Sequence, residues 1–290
     1  CRIAPNSIRV IGSRSRRFYM FKIGFFQFNP EFGKVESNLA KVISALSGVQ
    51  TDIVVLPELS FTGYFFKNRD ELKSMAEDLK NSSTVESLKA FCREKDFYIV
   101  TGFAEKAADR LFNSSLLIGP GGIIHTYRKL HLFNTEKDCF DPGDTPLEVN
   151  SVRSIKLGMM ICFDWVLPET ARILALKGAD LLCHPSNLVL THCQQAMLTR
   201  SLENSVFSVT ANRYGIESRP HGNLSFTGQS QIVDPKGKLL HRANAAQDEL
   251  HVIEIDIDEA RDKSFTEKNN LFTDRRPGFY GEMVKTGSSI

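Results

Sequence analysis

The chain has 290 residues, 42% hydrophobic and 24% charged, with a net charge of +2, which fits an ordinary globular protein with a large core, as one big domain or two smaller ones. No apolar run is long enough to span a bilayer, so a membrane protein and a membrane partner are not expected. Six scattered cysteines without a C-x-x-C pair argue against a disulfide framework or a structural zinc site and for a reducing, cytoplasmic setting.

Residues 1–19 hold five arginines and no acidic residue, which leaves −3 for residues 20–290. A near-neutral body is not the footprint of a nucleic-acid binder, and no nucleic-acid partner is expected. The arginine-rich leader is read as a disordered or non-native segment, with Met20 as the natural start. A targeting remnant and a nucleic-acid arm are the other readings.

"MFKIGFFQFN" (20–29) reads as a strand, and "KVESNLAKVISALSG" (34–48) as a helix with apolar positions at Val35, Leu39, Val42, Ile43 and Leu46. "DIVVLPE" (52–58) is a short strand apolar on both faces. Residues 69–95 read as helices. Strands follow near "FYIVTGFAE", "NSSLLIGP" and "IIHTYRKLHL", the last two forming a hairpin around "GPGG". "SIKLGMMIC" is a strand, "PETARILALKG" a helix opened by Pro168 and closed by Gly178, and "ADLLCHP" a strand again. Residues 193–204 read as a helix, and the remainder as mostly strands with a polar tail at 281–290. The pattern predicts one mixed-sheet α/β domain over 20–280, with no internal sequence repeat. Phosphate-binding glycine loops are absent.

Three strand ends offer groups for nucleophilic chemistry. Glu58 follows "DIVVLP", where Pro57 ends the strand; a carboxylate desolvated there would have its pKa raised towards that of a general base. Its other reading is an exposed loop charge. Lys129, in "HTYRKLHLF", shares a strand face with His125, Tyr127 and His131; it is either a functional cation or a charge protecting an edge strand. Cys162 ends "KLGMMIC" where the chain must turn sharply into Phe163-Asp164-Trp165, so its thiol is a nucleophile or a buried hydrophobe. A papain-like hydrolase would need a histidine base, and none of the seven histidines stands in a matching context. Cys183 beside His184 is a single pair and is not read as a metal site. No metal and no cofactor are expected. A non-enzymatic binding module of the same fold would be expected to have lost one of the three groups.

Together, "LPELSFTGY", "YRKLHLF" and "GMMICFDWVLPE" resemble the glutamate, lysine and cysteine motifs of the nitrilase superfamily of carbon–nitrogen hydrolases. "ALKGADLLCHPSN", "RSLENSVFSVTANR", "GQSQIVDPKGKLL" and "DRRPGFY" extend the similarity over about nine-tenths of the chain. The resemblance implies a four-layer α-β-β-α sandwich that pairs through a helical face into a homodimer or larger homo-oligomer. It implies that Cys162 attacks an amide or nitrile carbon to give a thioester-type acyl-enzyme, that Glu58 is the general base, and that Lys129 with the Phe163 backbone N–H holds the oxyanion. A fixed cation beside the sulfur would also favour thiolate. Glu136, in the loop after the lysine motif, is expected to orient Lys129 or the leaving amine. Tyr64, Trp165 and Asn187 adjoin the motifs and are expected to line the substrate pocket. Members that hydrolyse nitriles carry Trp-Glu after the cysteine, so Phe163-Asp164 points to the amidase and N-carbamoyl hydrolase branch. The expected substrate is a small linear amide or N-carbamoyl amine, with a nitrile as the alternative.

Overall fold

A computed structural model describes residues 20–285, so the expected leader at 1–19 and residues 286–290 of the expected tail lie outside the described residues. The strands are β1 (Met20–Gln27), β2 (Ile53–Val55), β3 (Tyr98–Ala107), β4 (Arg110–Gly119), β5 (Gly122–Arg128), β6 (Val149–Val152) and β7 (Ile155–Met159), continuing with β8 (Leu181–Ser186), β9 (Phe207–Asn212), β10 (Tyr214–Arg219), β11 (Gly222–Thr227), β12 (Gln231–Val233), β13 (Leu239–Arg242) and β14 (Glu249–Asp256). The helices are α1 (Val35–Leu46), α2 (Arg69–Met75), α3 (Ser83–Lys95), α4 (Glu136–Cys139), α5 (Pro168–Leu176), α6 (Cys193–Asn204) and α7 (Asp258–Arg261). Among the described residues, no helix is long and apolar enough to cross a membrane.

Two six-stranded sheets carry the fold, in the orders β14-β1-β2-β3-β4-β5 and β13-β12-β9-β8-β7-β6, and β10-β11 stands apart as a hairpin. In the first sheet β1, β2 and β3 run parallel, followed by an antiparallel β4 and β5. In the second, β7, β8 and β9 run parallel, followed by an antiparallel β12 and β13. The two halves thus share a topology that no sequence repeat announces, because strand order follows the polar/apolar pattern rather than residue identity.

The short apolar strands divide their side chains between two cores, as the twofold strand period requires. Phe21, Ile23 and Phe25 join Leu157, Met159 and Val209 between the sheets, while Phe26 and Phe28 join Val42, Leu46, Val85 and Leu88 of α1 and α3. The helices α5 and α6 cover the second sheet through Ala171, Leu174, Cys193 and Met197. The result is the expected α-β-β-α sandwich. Each fully buried large apolar side chain contributes about 1.5–3 kcal/mol.

The helices expected over 69–95 are α2 and α3, separated where Ala76 turns extended and Glu77 bridges to Glu105; Ser82 caps α3 by accepting the Val85 N–H at 2.9 Å. Two local expectations change. β5 ends at Arg128, before Lys129. β7 ends at Met159 rather than at Cys162, which instead opens a 3-10 turn over Cys162–Val166.

Candidate active site

Glu58 lies three residues past β2 and is fully buried. Its backbone is held by the end of β8 in the second sheet: the Glu58 N–H reaches Ser186 O at 3.4 Å, and Asn187 Nδ2 donates to Glu58 O at 2.8 Å. On the other side Gly102 closes in so tightly that a Cβ there would stand 2.3 Å from Glu58 Cα. Only glycine fits, so the position of Glu58 depends on a residue of β3 that carries no side chain.

Lys129 follows β5 and is 1% exposed, which rules out the reading as an edge-strand charge. Its N–H donates to Asn113 O at 2.8 Å, and its carbonyl accepts the Gly143 N–H at 3.0 Å. Gly143 is again a close approach, because a Cβ would lie 2.2 Å from Arg128 O. The ammonium sits between two carboxylates, with Nζ 2.7 Å from Glu58 Oε1 and 2.7 Å from Glu136 Oε1. Two of its three N–H groups are thereby used and the third is left for another acceptor. Glu136 opens α4 and is pinned in turn: Phe133 N–H donates to Oε2 at 3.0 Å and Tyr64 OH to Oε1 at 2.6 Å. Glu58 Oε1 also accepts from Asn113 Nδ2 at 2.7 Å, while Oε2 has no hydrogen-bond partner among the described residues.

Cys162 is 5% exposed and has φ +40°, in the left-handed region that non-glycine residues enter at a cost of about 1–3 kcal/mol. Asp164, fully buried, over-determines this turn. Its Oδ2 accepts the Ile161 N–H at 2.8 Å and Tyr127 OH at 2.9 Å; its Oδ1 lies 2.7 Å from His131 Nδ1. His184 Nε2 donates to the Cys162 carbonyl at 2.9 Å. Burial holds that imidazole down to about 4, so His184 is neutral and is occupied in fixing the turn, which leaves no role for it as a papain-type base.

The electrostatics are those of one cation facing two carboxylates and a thiol. Burial raises the Glu58 carboxyl, and Glu136 adds to this against the opposing pull of Lys129. Burial alone would pull the Lys129 ammonium down, but Glu136 and Glu58 outweigh it and hold the amine charged. Burial, with Glu58 second, pushes the Cys162 thiol well up, while Lys129 and the Asn187 backbone N–H act against this. Lys129 thus pulls towards the thiolate as expected, but burial and Glu58 outweigh it, so the balance lies towards the protonated thiol and a base is needed.

Cys162 opens into a small cleft lined by Trp165, Asn187, Phe133, Phe163, Leu188, Val189 and Leu190, none of them charged. Trp165 and Asn187 are therefore where the sequence suggests. Tyr64 is not: it lines a neighbouring cavity with Phe66 and Phe140, and its hydroxyl is committed to Glu136. The Asp164 carboxylate points into the protein beneath the turn, where it meets Tyr127, His131 and the Ile161 N–H. Asn113, His184, Gly102 and Gly143 all hold the site and have no local signature. Glu217 belongs with them, accepting the Tyr64 and Phe65 N–H groups on its buried carboxylate beside Arg213.

The comparisons with known proteins follow the same lines. The carbon-nitrogen hydrolase family model matches residues 22–264. A nitrilase of Pyrococcus abyssi is 42% identical over 264 residues, 90% of this chain and 99% of that protein. An (R)-stereoselective amidase of Pseudomonas sp is 34% identical, covering 91% of this chain and 94% of its own. The crystal structure of a carbon-nitrogen hydrolase from Helicobacter pylori G27 superposes with a TM-score of 0.79 at 26% identity, over 92% of this chain and 99% of that one. The chain belongs to the carbon–nitrogen hydrolase family of the nitrilase superfamily, on its amidase-like branch, and is a hydrolase of carbon–nitrogen bonds other than peptide bonds.

Proposed function

We propose that the protein hydrolyses small, uncharged linear amides through a Cys162 acyl-enzyme, with residues 20–280 acting as one catalytic unit. The observation that carries this reading is the unpartnered, buried Glu58 Oε2 in the same cluster as a thiol that burial keeps protonated. Glu58 takes the thiol proton as sulfur adds to the amide carbon. Lys129, through its remaining N–H, and the Phe163 backbone N–H stabilise the oxyanion. The proton then passes to the leaving nitrogen, the C–N bond breaks and ammonia or amine departs. Glu58 next deprotonates a water that attacks the thioester, and sulfur leaves and is reprotonated as the acid is released. Glu136 orients Lys129 by direct contact, and Trp165 and Asn187 line the acyl cleft.

The uncharged wall of the cleft supports apolar acyl groups. Among the described residues that wall carries no charged side chain to pair with the carboxylate or distal amine of a charged N-carbamoyl substrate, and leaving a buried charge unpaired costs several kcal/mol. The nitrile reading is supported by two relatives named as nitrilases, 42% and 32% identical to this chain. A panel of short amides, N-carbamoyl amines and nitriles assayed for ammonia separates the three. Apolar amides are expected to lead on kcat/KM by roughly tenfold or more. A lead for nitriles overturns the amide reading, and a lead for charged carbamoyl compounds overturns the argument from the cleft wall.

The same reading includes a homo-oligomer paired through the helical layer of the second sheet. Ile173 and Leu176 of α5 and Leu202 of α6 are 40%, 39% and 39% exposed, an apolar surface that pairing would cover. Light scattering at micromolar concentration is expected to give a dimer or a multiple of it; a monomer overturns the assignment. A cytoplasmic, reducing location suits the unpaired cysteines 92, 139, 162, 183 and 193 and would keep the nucleophile reduced.

A further inference from the structure

His241, Glu249 and His251 converge although nothing in the catalytic machinery uses them. His241 lies on β13, the outer strand of the second sheet, and Glu249 and His251 lie on β14, the outer strand of the first. The trio therefore bridges the two sheets at their shared edge, beside Phe25 of the inter-sheet core, whose ring centroid is 6.0 Å from that of His241 and 6.2 Å from that of His251. The imidazoles stack with centroids 3.4 Å apart and planes 9° from parallel. Glu249 Oε1 is 2.6 Å from His241 Nε2, and Glu249 Oε2 accepts the Asn244 N–H at 2.9 Å. One potential ligand atom from each residue lies within 4.8 Å of the others.

We propose that these three side chains form a divalent-metal site of the zinc type that staples the edge of one sheet to the edge of the other. Two imidazoles and a carboxylate form a three-ligand set for zinc, and water would supply the fourth position. All three residues are half-buried, which shields a metal and still leaves a path for it. Tetrahedral zinc with bonds of roughly 2.0–2.2 Å holds its ligand atoms roughly 3.3–3.6 Å apart, so the Glu249–His241 pair at 2.6 Å would open and any pair near the 4.8 Å limit would close, movements within reach of side-chain rotation. If His241 ligates through Nε2, its proton moves to Nδ1, and the Asn244 N–H keeps the carboxylate oriented, as outer partners of metal ligands do. The three residues are separated by turns and by alternate strand positions, so no compact spacing marks them in the sequence.

Titration of chelator-treated full-length protein with zinc chloride, followed by calorimetry and by thermal melting, tests the site. Wild type is expected to bind about one zinc per chain at these residues and to melt several degrees higher with zinc, because a ligand that binds only the folded state stabilises it. His251→Ala and His241→Ala should lose this binding, and Glu249→Gln should weaken it by roughly tenfold or more. Zinc held elsewhere, for instance by Cys162, would persist in these variants and is removed by difference. Turnover and melting in chelator report whether each variant is folded, and His251→Gln, closer in size, replaces any alanine variant that is not. No binding by wild type, or equal binding and equal zinc-induced shifts in wild type and all variants, overturns the site and leaves the trio as edge packing.

Discussion

Cys162→Ala is expected to abolish ammonia release from every amide or carbamoyl substrate, a loss on the order of 10⁴-fold or more, because it removes the only atom proposed to bond to the substrate. Stability should change little. Alanine keeps the backbone and the small volume, and Asp164 and His184 hold the turn through main-chain groups that the substitution leaves in place. Cys162→Gly separates the geometry from the chemistry. At φ +40° glycine avoids the penalty that alanine bears, so the glycine variant should melt no lower than the alanine variant despite the greater freedom of its unfolded chain. Turnover retained by either variant would show that another residue is the nucleophile. A glycine variant well below alanine would show that the turn is not strained.

The three proposed catalytic groups were legible because each ends a local pattern, ambiguous by itself, and the three motifs in order resemble those of the nitrilase superfamily. Glu58 follows a strand apolar on both faces and stopped by proline, and Lys129 falls on the alternation that also buries Tyr127. What holds them was not legible. Asn113 and Gly102 act on Glu58 from β4 and β3, and Gly143 packs against the carbonyl of Arg128 from a loop beyond α4. Such contacts depend on register and close approach, which no residue-type pattern encodes. Asp164 is the clearest case. Adjacent to Cys162, it reads as part of the substrate signature, yet the 3-10 turn swings its carboxylate under the nucleophile to meet Tyr127 and His131 from the opposite sheet. Any influence it has on which bond is cleaved must pass through the position of Cys162. The return of β14 to pair with β1 was equally hidden, since the chain between them forms the whole second sheet.

Lys129→Met should be the most damaging substitution for stability as well as for turnover. Wild type buries one cation between Glu58 and Glu136, a cluster of net charge −1. Removing the cation leaves two carboxylates facing each other without water, and breaking a buried ion pair in this way costs about 3–5 kcal/mol. Glu58→Gln alters the same cluster in the opposite sense. It brings the net charge to zero, keeps an oxygen for Lys129 and for Asn113, and leaves Glu136 paired, so it should melt at or above wild type while losing roughly 10²–10⁴-fold in rate as the base disappears. The pH dependence fixes the sign. In Lys129→Met the Glu58 carboxyl loses the cation that lowers it and keeps burial and Glu136, which raise it, and a group shifted in that direction contributes stability that is present below its unfolded pKa and lost as pH rises through the folded one. The deficit relative to wild type should therefore shrink as pH falls towards the ordinary glutamate value of 4.5 and widen at neutral pH. In wild type the same raised Glu58 carboxyl must be ionised to accept the thiol proton, so kcat/KM should rise with pH through a limb lying above 4.5, a limb absent from Glu58→Gln. Thermal melts of the three proteins from pH 5 to 8, alongside the rate profiles, check this. A Lys129→Met protein as stable as wild type at neutral pH would show that the cluster does not hold its charges as described, and a Glu58→Gln enzyme of normal rate would remove Glu58 as the base.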